Sequence, residues 1–238
     1  MLTHYPKFTI LWLTLFGIAM GYLESAVVVY LREIYYPGGF GFPLVSMSEK
    51  MALTEVLREA ATVIMLLATG YMAGHTFSHR FAWFIYCFAV WDIFYYVFLK
   101  ALLHWPASWL TWDLLFLIPV PWTGPVIAPV IVSCTMILLA AAIVIHPGEK
   151  AGISPKVWLF MIAGSALIFL SFIWDFSDFV LNPARQSFLQ ADSVQESLKQ
   201  YMPEKFNWPV FTVGELLLLS GLIVYWRLKK PVRHAELL

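Results

Sequence analysis

The chain has 238 residues, of which 61% are hydrophobic and only 13% charged, with a mean hydropathy of +0.74 and a net charge of zero. Such values lie outside the usual soluble range and point to a polytopic helical membrane protein. A balanced charge with no basic stripe argues against nucleic acid as a partner, and the lack of ten-residue alternating segments argues against a β-barrel.

Several apolar runs reach the ~20 residues that cross a ~30 Å hydrocarbon core as helix. The expected architecture is all-α, a single membrane-embedded domain over 1–238 with six spans near 8–31, 50–74, 80–103, 126–146, 157–181 and 209–228. The first run exceeds a typical signal h-region and no A-x-A-like site follows it, so it is expected to stay as the first helix. Tyr36-Pro37-Gly38-Gly39 ends that helix, and Pro106 follows the third. His146-Pro147-Gly148 ends the fourth and Asn182-Pro183 the fifth. Pro and Gly at these places stop helices because Pro lacks an N–H and Gly tolerates the turn that follows. Pro209 suits the first turn of the sixth, where a missing N–H costs little.

Six spans put both termini on one side. That side carries Lys7, Arg80, Lys150, Lys156, Arg227, Lys229, Lys230 and Arg233, against Arg32, Lys50, Lys100, Arg185, Lys199 and Lys205 on the other. The positive-inside rule then places both termini in the cytoplasm of a bacterial-type inner membrane. The outer connections are long and aromatic. Residues 108–118 are apolar enough to predict a short interfacial helix, and SVQESLKQYM predicts a second on the surface.

The acidic residues carry the functional signal. At ~1.5 Å per residue from each outer helix end, Glu24, Glu55, Asp92, Asp175 and Glu215 lie about 8–12 Å deep. Glu55, Arg58, Glu59 and Thr62 follow i, i+3, i+4, i+7 and share one helical face, as do Ser171, Trp174, Asp175 and Asp178. Asp92 shares a face with Phe88, Tyr95 and Tyr96. Glu24 and Ser25 continue a small-residue series through Gly17 and Gly21 that permits close helix approach. A charge facing lipid costs at least ~2.5–3.5 kcal/mol at a helix centre, so these groups are expected to face inward and line one acidic chamber roofed by the outer loops.

The roles follow from chemistry. Glu55, Glu59, Asp92 and Glu24 are candidate acids and bases. Arg58, Tyr95, Tyr96, Trp91, Trp174 and Asp113 are candidate substrate contacts, and Asp175, Asp178 and Glu215 candidate metal ligands. Oxygen ligands favour Mg²⁺, Mn²⁺ or Ca²⁺ over zinc. HTFSH (His75 to His79) has histidines at i, i+4 but reads as a solvated turn on the cytoplasmic side. Cys87 and Cys134 read as small core residues. No phosphate loop or GxSxG elbow is present. Three functions fit: a membrane-embedded enzyme acting on a lipid-linked or amphipathic substrate, a proton- or cation-coupled small-solute transporter, or a non-catalytic assembly subunit. Partners are the lipid bilayer, a lipid-like or small-molecule ligand, and a further copy of the chain in a homo-oligomer.

Overall fold

A computed structural model describes residues 6–145, 152–182 and 194–228. The His146-Pro147-Gly148 and Pro183 signals, and the basic residues Lys150, Arg185, Lys229, Lys230 and Arg233, lie outside them. Seven helices and one hairpin follow in chain order: α1 (Pro6–Tyr35), α2 (Glu49–Ala73), α3 (Phe77–Leu103), β1 (Trp112–Phe116), β2 (Trp122–Pro125), α4 (Ile127–Ile145), α5 (Pro155–Leu181), α6 (Val194–Gln200) and α7 (Trp208–Leu228). Five of these, α1, α3, α4, α5 and α7, are long and apolar enough to cross a membrane.

Side-chain oxygens start three helices by accepting the backbone N–H groups that have no partner in a first turn. Ser48 takes the N–H of Met51, Thr76 that of His79, and Ser154 that of Val157, with Pro155 in the first turn of α5. The helix α2 has membrane length but carries Glu49, Lys50, Glu55, Arg58 and Glu59. Its pattern is inside-out. Glu55, Glu59, Thr62 and Leu66 are buried on one face, while Leu53, Leu57 and Ile64 are exposed on the other. A soluble protein buries the apolar face and exposes the charges.

Helix α3 is the hub, packing against α1, α2 and α4, while α5 and α7 form a second tight pair that joins through α4. Glycine closes several of these seams, among them α1–α3 and α5–α7. A Cβ on Gly21 would lie 3.0 Å from the Trp91 carbonyl oxygen and the Tyr95 nitrogen of α3. One on Gly164 would lie 2.8 Å from the Gly214 carbonyl oxygen, and one on Gly214 2.9 Å from that of Gly164. The expected small-residue series on α1 is therefore a true close-approach face. Ser25 completes it by donating to the Gly21 and Tyr95 carbonyls, at 2.8 and 3.0 Å.

The expected helix at 108–118 is corrected: the segment turns into an antiparallel hairpin, with Asp113 opposite Gly124 and a register shift between Leu114 and Phe116. Pro119 and Pro121 remove backbone donors just where a helix would have to continue, and Trp122 Nε1 instead closes the turn on the Ile118 carbonyl at 2.9 Å. The strands β1 and β2 lie at the end of the bundle that also holds the α1 C-terminus and the α2 N-terminus. This is the hairpin end. The short helix expected within SVQESLKQYM is present as α6.

Gly164→Val is expected to lower the thermal midpoint of the purified protein, because the added methyls meet the α7 backbone and overpacking costs typically 1–3 kcal/mol. Gly38→Ala, where an added Cβ meets nothing within 4 Å, serves as the control. An unchanged midpoint in Gly164→Val would show that the α5–α7 seam is not as tight as described.

Candidate functional site

A cavity of about 510 Å³ opens at the hairpin end and runs down between α1, α2, α3, the hairpin, α4 and α5. Its size falls within the range of small-molecule sites. Three tiers differ in chemistry.

The upper tier is ionic. Arg58 donates to Glu24 from α1 through one guanidinium nitrogen, and through Nε to Glu55 at 2.8 Å. Arg32, in the last turn of α1, lies between the faces of Phe40 and Trp105, with its guanidinium carbon 4.3 and 4.0 Å from their ring centroids. Its Nη2 is 3.7 Å from Asp113 Oδ1, and Tyr96 Oη donates to Asp113 Oδ2 at 3.3 Å. Burial raises the Asp113 carboxyl to about 6, against the lowering effect of Arg32 and of the Tyr96 hydrogen bond. Both arginines in the cavity wall are thus matched by carboxylates of the protein itself.

The middle tier has acids that make no salt bridge among the described residues. Both oxygens of Glu59 accept the Leu117 N–H, at 2.9 and 3.2 Å. Asp92 Oδ2 accepts from Ser133 of α4 at 2.8 Å. Trp91 belongs to the same wall, and its buried indole Nε1 has no hydrogen-bond partner among the described residues. Phe88, Phe116 and Trp122 surround this level, with ring centroids 5.0 Å (Phe88–Trp91), 6.0 Å (Trp91–Phe116) and 5.5 Å (Phe116–Trp122) apart.

The lower tier is apolar. Phe81, Phe84, Ile85, Met136, Leu139 and Met161 line it, with Thr135 and Ser165 as polar exceptions.

The structure therefore brings together Glu24, Glu55, Arg58, Glu59, Trp91, Asp92, Tyr95, Tyr96 and Asp113 in one cavity wall. It places the remaining expected residues elsewhere. Trp174 is half exposed, and it lines a second cavity of about 320 Å³ with Asp175, Asp178, Glu204 and Lys205. Asp175 is buried there and organises the α6–α7 connection: it accepts from Tyr201 Oη at 2.7 Å and from the backbone N–H groups of Glu204 and Lys205. Tyr201 in turn accepts from Thr123 of β2, at 2.8 Å. Glu215 sits in the α4–α7 interface, where Thr135 donates to Oε2 at 2.9 Å. Asp175, Asp178 and Glu215 are not gathered around one point, and among the described residues no three His, Cys, Asp or Glu side chains form a group suited to an ion. The single chamber expected from the acids is in fact two cavities and one helix interface, because depth along a helix does not specify which neighbour the helix faces.

Ser133, the Leu117 N–H and the ring stack over Arg32 were not anticipated. Ser133 and Thr135 are isolated hydroxyls in the otherwise apolar α4, and that contrast was the available signal. The backbone donor of Leu117 leaves no mark on the sequence. Comparison with known proteins finds no family, no curated relative and no solved structure that matches this chain.

Removing Arg58 leaves Glu24 and Glu55 facing each other without a countercharge. Arg58→Met is expected to destabilise the protein by about 3 kcal/mol, with partial recovery in the double variant Arg58→Met/Glu24→Gln. Chemical denaturation of the two variants in the same micelle measures it. Equal stability of Arg58→Met and wild type would remove the ionic tier as a structural element.

Proposed function

We propose that this protein is a six-span integral membrane enzyme that admits an amphipathic or lipid-linked substrate into the 510 Å³ cavity and acts on it by acid/base catalysis. The observation that carries the proposal is the gradient within that one cavity: paired ions at the top, two carboxyls outside any salt bridge in the middle, and a mainly apolar wall below. An amphiphile is built the same way. The helix α2 counts as the sixth span because, beyond the exposed Glu49 and Lys50 of its first turn, its carboxylates Glu55 and Glu59 are buried while Leu53, Leu57 and Ile64 are exposed, the arrangement lipid demands.

Asp92 and Glu59 are the proposed proton-transfer groups. They are the cavity acids whose partners are a neutral hydroxyl and a backbone N–H rather than an arginine. Each can accept a proton from a substrate or return one, and carboxyls in differing surroundings serve as acid and base. Tyr95, Tyr96 and Arg58 contact the polar head. The lower wall supports an alkyl chain better than an ion path, which favours an enzyme over a cation-coupled transporter: a conducting route needs polar groups at both ends. The positive-inside pattern supports cytoplasmic termini, with the hairpin end facing outward.

Two measurements test this. Full-length protein purified from its membrane is expected to retain an amphiphile detectable by mass spectrometry of the extract, and Ser165→Trp, which fills the lower tier, is expected to lose it. Incubation with a total lipid extract should then convert one lipid species, with conversion falling at least ~100-fold in Asp92→Asn or Glu59→Gln. Retention without any conversion would leave a binding protein and end the enzymatic proposal. For orientation, a cysteine at the exposed Ser46, with Cys87 and Cys134 replaced by alanine, is expected to react with an impermeant maleimide on intact cells. Labelling only after lysis would reverse the assignment.

A further inference from the structure

Among the polar groups of the cavity, the Trp91 indole N–H stands out because it is buried and has no partner among the described residues. A buried donor without an acceptor costs about 1–3 kcal/mol, so native proteins rarely leave one. Tryptophan has a donor and no acceptor, and phenylalanine would supply a similar aromatic surface at this site without the cost. The groups beside it have the opposite need. Asp92 follows Trp91 on α3 and receives a hydrogen bond from Ser133, which leaves further lone pairs on its carboxyl. Phe116 packs on the Trp91 ring, and the next residue, Leu117, gives its N–H to Glu59. The wall of one cavity thus holds a donor without an acceptor and carboxyl oxygens that can accept more.

The choice of ligand chemistry follows from that pairing. An ammonium only donates and would leave the indole N–H unmet. An ether or ester oxygen only accepts and would give the carboxyls nothing. A carboxylate or phosphate would bring more negative charge to a wall that already holds five acids and two arginines. A hydroxyl both accepts and donates. Below this level, α3 continues from Trp91 to Phe81, about 15 Å of helix rise, along the apolar wall.

Resting on the proposal of an amphipathic substrate, we infer that the substrate is a long-chain alcohol or hydroxyl-bearing lipid, whose oxygen accepts from Trp91 Nε1 and whose proton is donated to Asp92 or Glu59, with its chain in the lower tier. The hydroxyl then meets the very carboxyls that would take its proton.

The test uses the full chain in nanodiscs and radiolabelled dodecanol, with dodecyl methyl ether, dodecylamine and dodecane as competitors at equal membrane mole fraction. Dodecanol is expected to bind saturably and to displace the label about tenfold better than the ether or the amine, the factor that corresponds to one net hydrogen bond. Trp91→Phe, which keeps the ring and removes the N–H, is expected to lower dodecanol affinity about tenfold while leaving ether binding unchanged. Trp109→Phe, on an exposed site, controls for the loss of a tryptophan, and gel-filtration behaviour and helical content report folding. Equal displacement by alcohol and ether, or unchanged dodecanol affinity in Trp91→Phe, overturns the hydroxyl assignment while leaving the amphipathic cavity in place. Stronger displacement by the amine replaces the hydroxyl with a cationic head. Saturable binding of no dodecyl compound overturns the amphipathic reading itself, and this inference with it.

Discussion

A carboxyl withdrawn from water must find donors, and the structure at the hairpin end is arranged around that demand. Glu59 finds the Leu117 N–H, and Asp113 finds Tyr96 and Arg32. Both sets of bonds fix the β1–β2 hairpin, one from α2 and the other from α1 and α3. The hairpin in turn closes the top of the cavity, and its Thr123 reaches Tyr201 and, through it, Asp175 of α5. Acids on three elements thus organise the non-helical part of the chain. Unsatisfied, they would each cost several kcal/mol, which is why the loop cannot take a merely convenient conformation.

Much of the helical frame was legible in the sequence. Runs of membrane length gave the long helices to within a few residues, and the i, i+3, i+4, i+7 spacing put Glu55, Arg58, Glu59 and Thr62 on one side, where Glu55, Glu59 and Thr62 are buried and Arg58 reaches Glu24. The glycine face of α1 was legible for the same reason: periodicity within a helix is a local property. What stayed hidden was non-local. Residues 108–118 are apolar enough for an interfacial helix, yet the pairing of Asp113 with Gly124 depends on a partner strand whose proline-rich sequence gives little strand signal. Likewise Asp175 and Asp178 share the depth and spacing of the cavity acids, but α5 turns them toward the α6–α7 connection.

The cavity also owes its shape to where the helices come close and where they stay apart. Gly21 on α1, Gly70 on α2, and the facing pair Gly164 and Gly214 let three seams close to backbone contact. Between α2 and α5 no such seam exists, although residues of both line the cavity. Close packing along these seams leaves the 510 Å³ cavity on the side where α2 and α5 stay apart, as expected of interiors that otherwise approach crystal density.

That distribution has a mechanical consequence. Among the described residues, α2 shares a packed helix interface with α3 alone. The interface is tightest far from the hairpin, where a Cβ on Gly70 would meet the Phe84 nitrogen at 2.7 Å and one on Gly74 the Arg80 nitrogen at 2.3 Å. At the other end, α2 is held by polar fastenings, Glu59 to Leu117 and Arg58 to Glu24. α2 is thus a cavity wall held by backbone packing at one end and by a hydrogen bond and an ion pair at the other, so substitutions at Gly70 act on its base and substitutions at Glu59 or Arg58 on its rim.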